Sequence, residues 1–283
     1  MKDGQIAVVT GAGSGIGRAL AQLLDARGAT LVLADVSREG LDETAASLKR
    51  PAALEVVDVS RREQIEALAA RTIAAHGHVD LVVNNAGVTV HDTVLHASYD
   101  DLEWVMNVNF WGVVHGTKAF LPHMVERKSG VIANVSSVFG IVGWPFQAAY
   151  NASKFAVRGF TEVLWRELEG TGVRAVSIHP GGIKTNIVRS MRFRRGAGLG
   201  KSHASMVRVF DAVAQTTPDV CAATIVRGLE RGDRRILIGR DATFLDTLQR
   251  ALPTRYASVL DYFQKRAEAK RAKARAAAAK ESP

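Results

Sequence analysis

The sequence holds one cysteine, Cys221, in 283 residues. A lone thiol excludes an intrachain disulfide and disfavours any metal site built on cysteine. It also points to a reducing, cytoplasmic compartment. No run approaches the roughly 18 apolar residues of a spanning helix. The start, Met1-Lys2-Asp3-Gly4, leads directly into an apolar strand-like segment, so no signal peptide is read there. The eight histidines show no metal-ligand spacing, and no metal is expected. Repeats of solenoid period and an interdomain linker are also missing. What is present is an ordinary folded composition, 47% apolar, 6% aromatic and 23% charged. The length suits one large α/β domain with a sizeable core.

The net charge of +9 is uneven. Arg189, Arg192, Arg194, Arg195, Lys201 and Arg208 lie in one stretch without an acid, which carries +6. Residues 264–283 carry a further +5, which leaves the rest of the chain at −2. A near-neutral body with two basic additions does not read as a nucleic-acid protein, and the last run lacks interleaved aromatics.

Strand-like runs alternate with helical patterns. Strands are expected at Gln5–Thr10, Thr30–Asp35, Ala53–Asp58, Leu81–Asn84, Val131–Ser136, Val173–His179 and Arg235–Gly239. Helices are expected at Gly17–Gly28, Glu63–His76, Asp101–Met124, Ala149–Gly170 and Pro218–Arg231. Runs such as Leu31-Val32-Leu33-Ala34 are apolar throughout, as strands buried on both faces are. The expectation is an α/β fold. It is a single-domain, Rossmann-type doubly wound parallel sheet of about seven strands, helices on both faces, with a C-terminal helical extension. The domain is placed at 1–242 and the extension at 243–283.

The first strand ends in Thr10-Gly11-Ala12-Gly13-Ser14-Gly15-Ile16-Gly17, and a helix follows. Glycines there permit a tight turn and close approach of a pyrophosphate to the helix N-terminus. The spacing is Gly-x-x-x-Gly-x-Gly at Gly11, Gly15 and Gly17. A merely tight turn is the alternative. Asp35 ends the second strand, 18 residues after Gly17. A carboxylate there accepts from both adenosine ribose hydroxyls and repels a 2′-phosphate, which favours NAD over NADP. The alternatives are that Asp35 only caps the next helix, or that Arg18 or Arg38 pairs with a 2′-phosphate.

Tyr150 and Lys154 stand four apart in a helical pattern, on one face. A free phenol titrates near about 10, too high for a neutral-pH base. A neighbouring ammonium lowers it, and a shift of about three units needs roughly 4 kcal/mol. Ser137 lies at the end of the fifth strand, 13 residues before Tyr150. Strand carboxyl ends line the crevice of a doubly wound sheet, so its hydroxyl can hold the reacting oxygen. Ser136 points the other way if the strand continues.

Together these motifs resemble the short-chain dehydrogenase/reductase family over Gln5 to about Gly239. Thr10–Gly17 is similar to the family's glycine loop. By that resemblance Asp58-Val59 contacts the adenine ring, and Asn84-Asn85-Ala86-Gly87 steadies the sheet beside the cofactor. Asn109 holds a water in the proton relay, Ser137 positions the substrate oxygen, and Tyr150 is the acid/base. Lys154 lowers the tyrosine pKa and binds the nicotinamide ribose. The loop Pro180-Gly181-Gly182-Ile183-Lys184-Thr185 brings Ile183 and Thr185 to the carboxamide. The resemblance implies hydride transfer between NAD(H) and an alcohol or ketone, and a homodimer or homotetramer. An NADP-dependent ketone or 3-oxoacyl-thioester reductase is the alternative, and a non-enzymatic NAD-binding scaffold is an alternative of another class.

Phe139, Val142, Trp144, Pro145, Phe146, Val88 and Val90 suggest an apolar substrate pocket. A lid over 186–217 is implied by the resemblance. It adds Ile187, Met191, Phe193, Leu199, Met206, Val207 and Phe210, and its basic residues suggest an anionic handle as a further possibility. Cys221 and His179 read as buried core residues. Trp104, Phe110 and Trp111 read as core or subunit contacts. In the extension Phe244, Leu245, Leu248 and Leu252 recur at helical spacing, Pro253 interrupts, and Tyr256, Val259, Leu260 and Phe263 resume. Such an amphipathic segment before a basic run suits packing over the cleft or on a partner. Contact with an anionic membrane surface is the second possibility.

Overall fold

The computed structural model describes residues 4–194, 202–262 and 266. Seven parallel strands build the main sheet: β1 (Ile6–Thr10), β2 (Thr30–Asp35), β3 (Ala53–Val56), β4 (Leu81–Asn84), β6 (Gly130–Val135), β7 (Val173–Pro180) and β9 (Arg235–Ile238). Their order is β3-β2-β1-β4-β6-β7-β9. The chain winds outward from β1 in one direction and then from β4 in the other. The switch point therefore lies between β1 and β4, where such sheets open a crevice.

The two faces sort by residue parity. Ala7, Val9, Leu31, Leu33 and Val83 pack with Leu20, Leu24, Leu41 and Ile225. These come from α1 (Gly15–Ala26), α2 (Arg38–Ala46) and α8 (Pro218–Arg231). Ile6, Val8, Val32 and Val82 pack the other way, with Ile65, Leu68, Phe120 and Leu164. Those come from α3 (Arg62–His76), α5 (Gly112–Glu126) and α6 (Ala148–Glu167). Each such side chain taken fully from water contributes about 1.5–3 kcal/mol. Cys221 is in this core, and burial pushes its thiol up to about 12.

All seven expected strands are present, with ends shifted by one or two residues. One expected helix is not continuous. Asp101–Met124 divides into α4 (Tyr99–Met106), a π turn (Asn107–Trp111) and α5. The wide turn arises around Asn109, which is fully buried. Its Oδ1 accepts from the Val88 amide (2.8 Å), and its Nδ2 donates to the Val88 carbonyl (2.9 Å) and to Ser153 Oγ (3.0 Å). Satisfying these backbone groups pulls the side chain toward the sheet, and π turns of this kind recur at functional sites.

A second, two-stranded parallel sheet joins β5 (Val90–His91) to β8 (Arg192–Phe193) and ties the expected lid to the body. Asp101, almost fully buried, receives Arg192 (3.0 Å) and Arg194 (2.7 and 2.9 Å). These guanidinium groups hold its carboxyl at about 2. Arg192 also lies over Trp104, 3.6 Å from the ring centroid. The helix α7 (His203–Val213), capped by Ser202, lies within the same expected lid range.

The extension begins as α9 (Arg240–Ala251), so the boundary expected at 242/243 falls within a helix. Pro253 follows its end, and helix resumes over 256–262. The basic run 264–283, apart from Arg266, lies outside the described residues, as do Arg195, Leu199, Lys201 and Phe263. Among the described residues no helix is long and apolar enough to cross a membrane.

Candidate active site

A cleft of about 2080 Å³ opens at the carboxyl ends of the strands. Gly11, Ser14, Gly15, Ile16, Asp35, Asp58, Val59, Asn85, Ala86 and Gly87 border one end. Ser137, Tyr150, Lys154, Pro180, Gly181, Ile183 and Thr185 border the middle. The expected Thr10, Gly17 and Asn109 do not border it; they shape it from behind. Thr10 Oγ1 accepts from the amides of Asn85 (3.0 Å) and Ala86 (3.2 Å), and Asn85 Nδ2 donates to the Thr10 carbonyl (2.9 Å). These bonds stitch the ends of β1 and β4 together across the switch point.

The glycine loop decides whether a dinucleotide fits. A Cβ on Gly17 would stand 2.1 Å from the Gly11 carbonyl oxygen, so only glycine lets α1 close against the loop. Gly11 itself has φ +64°, a left-handed conformation that glycine adopts without strain. Ser14 caps α1 without a side-chain hydrogen bond, and the first turn holds no acid. The first amides of α1 and the positive end of its dipole therefore remain available to a phosphate. Asp35 accepts from Gly13 N (2.8 Å) and Ser37 N (2.9 Å), one bond to each oxygen. A carboxylate oxygen has a further lone pair, so Asp35 still has acceptor capacity on the cleft. It does not cap α2, whose cap is Ser37 Oγ on Gly40 N. Arg18 lies against the glycine loop, where it donates to the Gly13 carbonyl, and is also engaged by Glu43 (2.6 Å) and Thr44 (3.0 Å); Arg38 pairs with Asp42 (2.9 Å). The donor set and the tight backbone fit a dinucleotide.

Tyr150 projects from the first turn of α6 beside Ser137, one turn before Lys154. Burial pushes the phenol up to about 12, and a hydrogen bond with Ser137 offsets part of that rise. The expectation of a phenol lowered by the ammonium is thus corrected for the protein alone. Lys154 Nζ donates to the Val135 carbonyl (2.9 Å) and lies 5.6 Å from the centroid of the Tyr150 ring. Burial brings its own pKa down to about 8. The Ser136 hydroxyl is taken up by the Lys154 carbonyl (2.8 Å), although the residue borders the cleft.

Behind Ser137 stands His179, fully buried at the end of β7. Its Nδ1 faces the Ser137 carbonyl (3.1 Å), so that nitrogen donates, and Nε2 accepts from Ser177 Oγ (2.8 Å). Burial, the larger cause, takes its pKa down to about 4. The imidazole is neutral and fixed in one tautomer.

The remainder of the cleft is apolar. Phe139 stacks on Trp144 (5.6 Å) and meets the Tyr150 ring edge-on (6.2 Å). Phe146, Val88, Ile187, Met191, Phe193, Met206 and Phe210 also border it. Val142, Val90 and Val207 do not: the first two are buried in the packing beneath, and Val207 lies on α7 away from the opening. Trp104, expected as a core or subunit contact, packs against the Val90, Val105 and Ala149 cluster and also borders the cleft under Arg192. Of the lid arginines, Arg192 and Arg194 are held by Asp101, and Arg189 by Asp211 (2.7 Å). The lid latch was missed in the sequence because its signal, an acid in the first turn of a helix, is shared by many ordinary helices. Among the described residues no group of His, Cys, Asp and Glu is arranged to hold a metal.

Residues 5–195 match the family model for short chain dehydrogenases. The chain belongs to this family. A putative oxidoreductase, SadH, of Mycobacterium tuberculosis is 42% identical over 260 residues, 90% of this chain and 93% of that protein. A short chain dehydrogenase/reductase from Burkholderia phymatum, solved in complex with NAD, superposes with TM-score 0.78 at 32% identity, covering 88% of this chain and 94% of that one. A metagenomic short-chain oxidoreductase in complex with NADP gives 0.68 at 28% identity, covering 84% and 97%. This short-chain dehydrogenase is an NAD(P)-dependent dehydrogenase/reductase.

Proposed function

We propose that the protein interconverts a hydrophobic secondary alcohol and its ketone with NAD(H), Tyr150 exchanging the proton. The observation that carries this reading is the convergence of Ser137, Tyr150 and Lys154 between a dinucleotide cradle and an apolar pocket. NAD(H), bound in the cradle, supplies the hydride chemistry. Tyr150, held protonated by burial, donates to a ketone oxygen. Ser137 orients that oxygen. The Lys154 cation, 5.6 Å from the ring centroid, favours the phenolate and so opposes the rise that burial causes. Asn109 locks the Val88 turn beside Lys154.

NAD is favoured because Asp35 borders the cleft while the charges of Arg18 and Arg38 are paired with Glu43 and Asp42. The test is a panel of ketones with NADH and NADPH, followed by absorbance of the reduced cofactor. Turnover of apolar ketones with NADH, lost in Tyr150→Phe while NADH fluorescence still reports binding, supports the reading. A Tyr150→Phe protein of unchanged rate refutes it.

A further inference from the structure

Two apolar surfaces border the cleft without covering each other. On α7, Met206, Val209, Phe210 and Val213 repeat at helical spacing and all border the opening. No residue of α7 is buried, and Val209 and Val213 are half exposed. An apolar stripe of this kind is held in water at a cost unless something apolar covers it. The second surface belongs to the extension, where Leu245 and Leu260, both half-buried, border the same cleft.

The extension is tied to β9 by the Arg235–Asp246 pair and fastened at two further points beside the proposed reaction site. Asp241 accepts from the Gly182 amide (2.6 Å). A Cβ on either Gly181 or Gly239 would fall 2.3 Å from that carboxylate, so both glycines are required by its position. Tyr256 Oη accepts from the Gly143 amide (3.0 Å). Gly143 precedes Trp144, Trp144 stacks on Phe139, and Phe139 abuts Tyr150. A continuous chain of contacts therefore runs from the extension to the proposed acid. Two carboxylates, Asp241 and Asp261, also border the cleft from this side. They disfavour an anionic substrate.

We propose that residues 240–262 form the distal wall of the substrate site and select an uncharged substrate with an elongated apolar tail. Leu245 and Leu260 contact the tail opposite the α7 stripe. Tyr256 is a positioning residue that sets Trp144. This rests on the alcohol–ketone reading, but the wall is testable by binding alone.

The experiment titrates the full chain, loaded with oxidised NAD, which cannot reduce a ketone, with hexan-2-one through tetradecan-2-one by calorimetry. Turnover of the same ketones is followed separately. Each added methylene that enters the site tightens binding by up to about fourfold. Leu260→Trp, which fills the distal end, weakens tetradecan-2-one by at least about tenfold, equivalent to two or more methylenes lost from the site. Leu260→Ala weakens it less and guards against misfolding of the larger variant. Leu252→Trp, on a residue that does not border the cleft, follows the unmodified protein. Tyr256→Phe raises KM for the long ketones, leaves KM for NADH unchanged and shifts Trp144 fluorescence. An affinity that does not grow with chain length overturns the wall, as does an equal effect of the Leu260 and Leu252 variants. Chain-length-dependent binding without turnover upholds the wall and refutes the reaction.

Discussion

Lys154 donates a hydrogen bond from its ammonium to the Val135 carbonyl, 2.9 Å away, and not to Tyr150, whose ring centroid is 5.6 Å off. The lysine therefore acts on the phenol through its charge rather than through a bond. Such a charge favours the phenolate and brings the phenol down from the level that burial alone would set. Alcohol oxidation is expected to rise with pH over the range above about 8, where Lys154 and Tyr150 titrate as a coupled pair. Ketone reduction falls over the same range. Lys154→Met moves both limbs to higher pH by about one to two units and lowers the rate by at least about a hundredfold. Rate profiles from pH 6 to about 10.5 check this; unmoved limbs would assign the ionisation elsewhere.

Asp35 has one backbone donor on each oxygen and remaining lone pairs at the cleft. Its negative charge opposes a 2′-phosphate. NADH is expected to exceed NADPH in kcat/KM by at least about tenfold, the value of roughly 1.4 kcal/mol of repulsion. Asp35→Asn keeps an acceptor for one of the two amides and removes the charge, so the preference narrows from both sides. Steady-state kinetics with both cofactors measures it, and an unaltered ratio would show that the carboxylate does not set the choice.

The central sheet was legible because runs such as Leu81-Val82-Val83 have to be buried on both faces, and few folds bury them so. The site was legible for a similar reason. Gly17 and Tyr150 sit at spacings that backbone closure and a helical turn impose. What escaped the pattern depends on contacts between segments distant in sequence. The π turn at Asn109 forms because Val88, 21 residues earlier, needs both its backbone groups paired. The pairing of Arg194 with Asp101 spans 93 residues, and that of Tyr256 with Gly143 spans 113. No local periodicity announces such pairs. The direction of the Tyr150 shift was misjudged for a related reason: spacing shows a neighbouring charge, whereas burial is a property of the assembled core.

Asp101 fastens the lid, and its carboxyl is held at about 2 against an ordinary 3.8. A depressed carboxyl stabilises the fold above its unfolded pKa, and that stabilisation is lost as pH falls from about 3.8 toward about 2. The shift corresponds to about 2 kcal/mol. Asp101→Asn is expected to lower stability at neutral pH by roughly that amount and to expose the lid to proteolysis near Arg192 and Arg194. Urea denaturation and limited proteolysis test the two parts independently. A variant with native stability and an uncut lid would mean that the β5–β8 pairing alone suffices.

His179 gives a dependence of the same sign in a higher pH range. Its pKa is about 4 in the folded protein against an ordinary 6.5, because the imidazole is buried and hydrogen-bonded in its neutral form. Below pH 6.5 the unfolded chain takes up a proton at this residue that the folded protein refuses. Stability is therefore complete above about 6.5 and declines as pH falls toward about 4. By pH 5 the decline amounts to about 2 kcal/mol. It falls in a range where Asp101 is still ionised, so the two effects separate along the pH axis. His179→Gln removes the titrating group while retaining an amide that can donate to the Ser137 carbonyl. Its urea midpoint at pH 7 is expected to drop, since the fixed imidazole between Ser177 and Ser137 is lost. The difference between pH 7 and pH 5, however, shrinks by about 2 kcal/mol relative to the unmodified protein. Equal pH slopes for the two proteins would show that His179 is already protonated in the folded state, and Nε2 could not then accept from Ser177.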